Sequence, residues 1–254
     1  MKHLLLLPLF FFTSLNAVDK APAAFSGQKE KLHIYLLIGQ SNMAGRAPFT
    51  EKEAGVIERA YLLNSDNQWE GAKNPLNRYS TIRKGLGMQK MNPGYSFSKA
   101  MLKLYGEVSV GLVVNAKGGS SIKQWAKGTK FYNDAVKRTK AAMETGELKG
   151  ILWHQGESDS KDAQYLEKLS ALVQNLREDL GIPKLPFVAG QVNNVPLVND
   201  QIAKLPGTVE ATSFIRSEGL KAMDRWHFDA ASVKLMGQRY AAEMHKLQNG
   251  LKTK

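Results

Sequence analysis

Ser41, His227 and Asp224 are the residue types that nucleophilic acyl transfer requires. A serine hydroxyl is a poor nucleophile at neutral pH; it needs a base within hydrogen-bond reach, and that base needs a group to orient it. In the Asp224-x-x-His227 spacing, one turn of loop can set the carboxylate against one imidazole nitrogen and leave the other free to face a serine. A tetrahedral intermediate also needs donors aimed at its oxyanion. The backbone N–H groups of Ser41 and Gly119 and the side-chain amide of Gln155 are the candidates, and Gly118-Gly119 permits close backbone approach.

Taken singly, each of these residues has a structural explanation. Ser41-Asn42 can cap a helix, Gly118-Gly119 can form an ordinary turn, and Asp224 and His227 can pair on a surface loop. His154 can be a satisfied core histidine, with Glu157 or Asp159 capping the next helix. Trp125, Trp153 and Trp226 are expected in packing rather than as sugar platforms. Competing motifs are missing from the sequence. Gly39-Gln40-Ser41-Asn42 continues to Met43, so there is no Gly-x-Ser-x-Gly elbow, and there is no Walker loop, dinucleotide fingerprint or His-Glu-x-x-His pair. Five histidines and no cysteine argue against a dedicated transition-metal site.

The elements that must position these residues follow from hydrophobic periodicity. Leu32 to Ile38 is an apolar, partly β-branched run ending at Gly39, the pattern of a buried strand. Similar strands are expected at Val108 to Asn115, Gly150 to His154, Pro186 to Val192 and Val209 to Ile215, with helical stretches between several of them. That alternation predicts a parallel sheet with helices on both faces, and it puts the four candidate segments at the carboxyl ends of strands or just before a helix. The clearest helix runs from Asp162 to Leu180, and a last helix starts at Asp229 as N-cap and buries Val233, Met236, Tyr240, Met244 and Leu247. Arg46 to Met91 reads as long loops with little regular structure, and there is no internal repeat.

Lys2 and His3, then the apolar run Leu4 to Phe12, then Asn16-Ala17 predict a signal peptide over residues 1–17, followed by a linker over 18–31 and one α/β domain over 32–250. No apolar run reaches the roughly 20 residues of a membrane span. The expected protein is secreted or periplasmic and holds together without disulfides. The formal charge of +12 is compatible with an anionic polysaccharide, an envelope surface or nucleic acid, and equally with a basic proteome; export argues against nucleic acid.

Five blocks, in this order, resemble the SGNH hydrolases, and specifically the branch comprising carbohydrate esterase family six (acetyl xylan esterase-like) and the sialate O-acetylesterase domains. Tyr35 through Arg46 is similar to that branch's nucleophile block and Asn92 through Phe97 to its glycine block. Asn115 through Trp125, Trp153 through Asp159 and Asp224 through Tyr240 are similar to the remainder. The Gly-Asp-Ser and Gly-x-Asn-Asp blocks of the wider superfamily are replaced, with Gln40 and Gln155 standing where this branch differs.

The resemblance implies a three-layer α/β/α sandwich on a mainly parallel, flavodoxin-like sheet, and a serine esterase that needs no cofactor. It implies Ser41 as nucleophile, His227 as base, Asp224 as orienting carboxylate, and Gly119 and Gln155 as oxyanion donors; Glu157 is a second candidate for the third triad role. Arg46, Gln40 and Trp226 are the candidate substrate contacts. The implied reaction is removal of O-acetyl groups from an acetylated polysaccharide or sugar through an acetyl-enzyme. No second domain is expected, which favours acetylated xylan over O-acetylated sialate or another envelope glycan. A catalytically silent carbohydrate-binding protein is the alternative of another class.

Overall fold

The structure is a computed structural model and describes residues 24–83 and 85–252. Seven strands form one sheet: β1 (Leu32–Gly39), β2 (Ala60–Leu63), β3 (Trp69–Gly71), β4 (Ser109–Ala116), β5 (Glu147–His154), β6 (Phe187–Gly190) and β7 (Thr212–Ile215). Their order is β3-β2-β4-β1-β5-β6-β7, and every pairing is parallel except that of β2 with β3. Without the β2–β3 hairpin at the edge, the remaining strands follow the flavodoxin-like order.

β1 lies at the centre because it is apolar on both faces; all of its residues except His33 are buried. Its side chains alternate between two cores. Ile34, Leu36 and Ile38 join the core under α4 (Lys130–Met143), α5 (Tyr165–Leu180) and α6 (Pro196–Thr208), whereas Tyr35 and Leu37 join the core under α3 (Gly94–Tyr105) and α7 (Ala230–Lys252). The result is the three-layer sandwich that the sequence predicts.

The two helices read from periodicity are present. α5 buries Tyr165, Leu169, Leu172, Val173, Leu176 and Leu180, and Gly181 ends it in the left-handed conformation while the N–H groups of Gly181 and Ile182 satisfy the last carbonyls. It begins at Tyr165 rather than Asp162, because the Asp162 carboxylate accepts the Gln164 N–H and holds a turn there. Asp229 caps α7 as expected, accepting the Ser232 N–H at 2.7 Å.

The segment from 46 to 91 has little regular structure, as expected. It contains a one-turn helix, α2 (Glu51–Ala54), and the β2–β3 hairpin, whose turn is closed by the Asn64 side chain accepting the N–H groups of Asp66 and Gln68. Strands of four and three residues are too short to show a period. Farther along, buried Asn77 pairs with both the N–H and the carbonyl of Ala116, standing in for a neighbouring strand at the end of β4.

Parallel register sets the site. Gly39 pairs with Ala116 on one side and His154 on the other, so β1, β4 and β5 end level. That edge is the topological switch point, where the chain leaves β1 for one side of the sheet and later returns to the other. No helix among the described residues is long and apolar enough to cross a membrane. The predicted signal peptide, residues 1–17, lies outside the described residues.

Candidate active site

A cleft of about 390 Å³ opens at the switch point, lined by Gln40, Ser41, Arg46, Met88, Gly118, Gly119, Glu157, Ser158, Trp226 and His227. Residues from every chemical segment singled out in the sequence meet there. A larger cavity, about 620 Å³, lies between β7 and α7 and contains none of the candidate residues.

The end of β1 is stitched to both neighbours: the Gln40 N–H donates to the His154 carbonyl at 2.8 Å, and the Lys117 N–H donates to the Gly39 carbonyl at 3.0 Å. Gly39 is required at this point, since its φ is +136° and a Cβ would fall 2.2 Å from the His154 carbonyl oxygen. Ser41 then opens α1 (Ser41–Ala44), a single turn whose cap position is Gln40, not Ser41. Ser41 is therefore free of the capping role that a serine after a strand often plays, and it lines the cleft at 5% exposure.

His227 and Asp224 form the local unit that their spacing suggests. The Nδ1 atom of His227 lies 2.8 Å from Oδ2 of Asp224, while Oδ1 accepts the N–H groups of Trp226 (2.8 Å) and His227 (2.9 Å). Partial burial pushes the Asp224 carboxyl up, but the bonds from the His227 ring and the two backbone N–H groups outweigh it and hold the pKa at about 2. An ionised carboxylate at Nδ1 fixes the ring proton there and leaves Nε2 as the acceptor. His227 and Ser41 line the same cleft.

Asn42, for which the sequence suggests only helix capping, connects this loop to the sheet. It is buried; its Nδ2 donates to the Trp226 carbonyl and to Oε1 of Glu157, both at 3.0 Å, and its Oδ1 accepts the Phe228 N–H at 3.1 Å. Its one signal in the sequence is adjacency to Ser41, because its partners lie 115 to 186 positions away.

Glu157 begins a 3₁₀ turn after β5 and is buried with Oε1 on Asn42 and Oε2 without a partner. Burial pushes its pKa up to about 8. The structure thus corrects the second triad candidate: Asp224 bonds the His227 ring, and Glu157 serves Asn42. His154 is buried as well, and burial pushes its pKa down to about 3, so it is neutral. Its Nδ1 faces the Tyr240 hydroxyl at 3.3 Å, and that hydroxyl donates to the Trp153 carbonyl. Nε2 has no partner and lies 4.0 Å from Glu157. His154 is a core histidine only half satisfied.

Gln155 departs from its expected role. Its amide nitrogen is buried against Oε1 of Gln40 (3.1 Å), the Ser120 carbonyl (3.0 Å) and the Asp159 carboxylate. Two N–H hydrogens facing three acceptors leave none for an oxyanion, and Gln155 does not line the cleft. Gln40 does line it, but its carbonyl oxygen also accepts the N–H groups of Gly156 and Ser158, so it braces the loop after β5.

The remaining candidates sit in the cleft wall. Gly119 has φ +72°, a conformation that favours glycine, and Gly118 lies under the Arg46 guanidinium, where a Cβ would come within 2.6 Å of it. Arg46 donates to the carbonyls of Gly45 and Met88; burial and then the nearby charge of Arg83 lower its pKa. Trp226 lines the cleft, and the Arg225 guanidinium lies 4.5 Å from the centroid of its ring. Trp125 and Trp153, by contrast, are core residues packed edge to face. Among the described residues, no group of three or more His, Cys, Asp or Glu is placed to share a metal ion.

A mainly parallel three-layer sandwich with a serine, an imidazole and its carboxylate gathered at the switch point defines an SGNH-type hydrolase fold. Residues 31–246 match the model of the family described as carbohydrate esterase, sialic acid-specific acetylesterase, and the chain belongs to that family. A relative from Arabidopsis thaliana named "Probable carbohydrate esterase" is 35% identical over 176 residues, covering 61% of this chain and 66% of that protein, just under two thirds of its length. The crystal structure of that Arabidopsis protein superposes with a TM-score of 0.76 at 27% identity, covering 85% of this chain and 98% of the other. A carbohydrate acetylesterase from Xanthomonas citri shares the fold at a TM-score of 0.65 and 20% identity, covering 86% of this chain and 57% of that one.

Proposed function

We propose that the chain is a serine esterase that removes O-acetyl groups from carbohydrate. Ser41 is the nucleophile, His227 the base, and Asp224 the carboxylate that holds the imidazole in its working tautomer. The observation that carries this reading is the 2.8 Å bond between Nδ1 of His227 and Oδ2 of Asp224, beside a cleft that Ser41 also lines.

The reaction runs in two steps. Nε2 of His227 takes the Ser41 proton as Oγ attacks the acetyl carbonyl carbon; the bond to the sugar oxygen breaks, and that oxygen leaves with the proton from His227. Water, deprotonated in turn by His227, attacks the acetyl-serine, releasing acetate and restoring Ser41. The backbone N–H groups of Ser41 and Gly119 are the oxyanion donors in this reading. Arg46, Trp226 and the edge of Gln40 form the sugar-facing wall.

Acetylated xylan or a related plant polysaccharide is the first substrate assignment. The charge of the cleft favours a second reading, an O-acetylated acidic sugar such as sialate: Arg46 lines the cleft, and Arg83 and Lys117 line an adjoining pocket that shares Gly118 with it. Acetate release from acetylated xylan and from O-acetylated sialic acid, with p-nitrophenyl acetate as generic ester, separates the two. Release from xylan supports the first, release from sialate the second, and glycan binding without ester turnover supports a silent binding protein instead. Export through the signal peptide at residues 1–17 belongs to the same reading and is tested by N-terminal sequencing of the mature protein.

A further inference from the structure

The hydrogen bonds that Asp224 makes to His227 all lie within residues 224–227, so they shape the loop but do not tie it to the sheet edge that carries Ser41. The reaction proposed above needs that tie, because a base displaced by an ångström no longer meets the hydroxyl.

Asn42 supplies it. The residue after Ser41 holds the chain immediately before His227, through the Trp226 carbonyl, and immediately after it, through the Phe228 N–H. The orientation of the carboxamide is unambiguous, since a backbone carbonyl only accepts and a backbone N–H only donates. The second Nδ2 hydrogen goes to Oε1 of Glu157, a buried carboxyl fixed in the turn after β5, so the clamp is braced from a second strand end.

We propose that Asn42 is the positioning residue that registers His227 against Ser41, with Glu157 as the anchor that keeps the Asn42 amide in place. The proposal rests on the serine-esterase reading. It also explains why a carboxyl is buried beside a catalytic base without touching it: Glu157 acts through Asn42.

The test is a double-mutant cycle on the full chain, with kcat and KM for p-nitrophenyl acetate and Tm measured for wild type, N42A, H227A and N42A/H227A. The residual turnover of H227A, on the order of 1,000-fold above uncatalysed hydrolysis, is the baseline. N42A is expected to lower kcat by about 100-fold with little change in KM. In the H227A background the same substitution should cost no more than about twofold, since no imidazole remains to be positioned. Equal losses in both backgrounds would overturn the proposal, because Asn42 would then support the fold or the oxyanion donors.

Should N42A fail to fold, N42D enters the same cycle. It keeps the acceptor for Phe228 and loses both donated bonds, and a loss on the order of tenfold confined to the His227 background is expected. An unchanged kcat in N42D would overturn the proposal. Full activity in H227A would instead sink the serine-esterase mechanism itself, whatever Asn42 does.

Discussion

Asp224 meets His227 with one carboxylate oxygen and spends the other on the backbone N–H groups of Trp226 and His227. The two halves of that carboxylate are therefore not interchangeable. In Asp224→Asn, the two backbone donors keep the amide oxygen, which turns the NH₂ group toward the imidazole. Nδ1 must then accept, the ring proton moves to Nε2, and the base faces Ser41 in the wrong tautomer. A fall in kcat on the order of 1,000- to 10,000-fold is expected, with Tm little changed. A loss below tenfold in kinetics on p-nitrophenyl acetate would show that Asp224 does not set the tautomer.

Gln155 is expected to register in stability rather than in turnover. Gln155→Ala removes the donor shared by Gln40, the Ser120 carbonyl and Asp159, and buried acceptors left unpaired cost about 1–3 kcal/mol. Thermal unfolding should show a clear drop in Tm, while kcat of the folded enzyme falls by less than about tenfold. A loss of 100- to 1,000-fold in kcat at unchanged Tm is the signature of an oxyanion donor and would restore that role.

Glu157 predicts a pH dependence of stability with a definite sign. Its folded pKa is raised to about 8, against about 4.3 for an unperturbed glutamate. Between those values the folded state holds a proton that the unfolded state has released, so this contribution is fully present below about pH 4.3 and is lost as pH rises towards 8. Glu157→Gln removes it, and the difference in Tm between wild type and variant should change steadily between pH 5 and 8, to the disadvantage of wild type at the upper end. Parallel Tm curves across that window would show that Glu157 titrates normally.

What the sequence makes legible follows the range of each interaction. Asp224 and His227 are readable because they meet within one turn of loop, and Ser41 because a long apolar strand runs straight into it. α5 and α7 are readable because buried residues recur along them at helical spacing. The β2–β3 hairpin is not, since strands of four and three residues leave no period. Gln155 does stand at the end of β5, where the sequence puts it, but as a brace and not an oxyanion donor. Residue type does not say which way a carboxamide faces, and Gln40 and Asp159 decide that from 115 and 4 positions away. Asn42 is unreadable in the sequence because its meaning exists only once Glu157 and the 226–228 loop are folded against it.

Every step of the proposed reaction depends on Ser41 carrying the acetyl group. The decisive measurement is kcat for Ser41→Ala beside wild type on p-nitrophenyl acetate, with Tm as the control for folding. A loss on the order of a million-fold in kcat at unchanged Tm is expected. Turnover retained in the folded variant would overturn the assignment of Ser41 and the two-step mechanism with it.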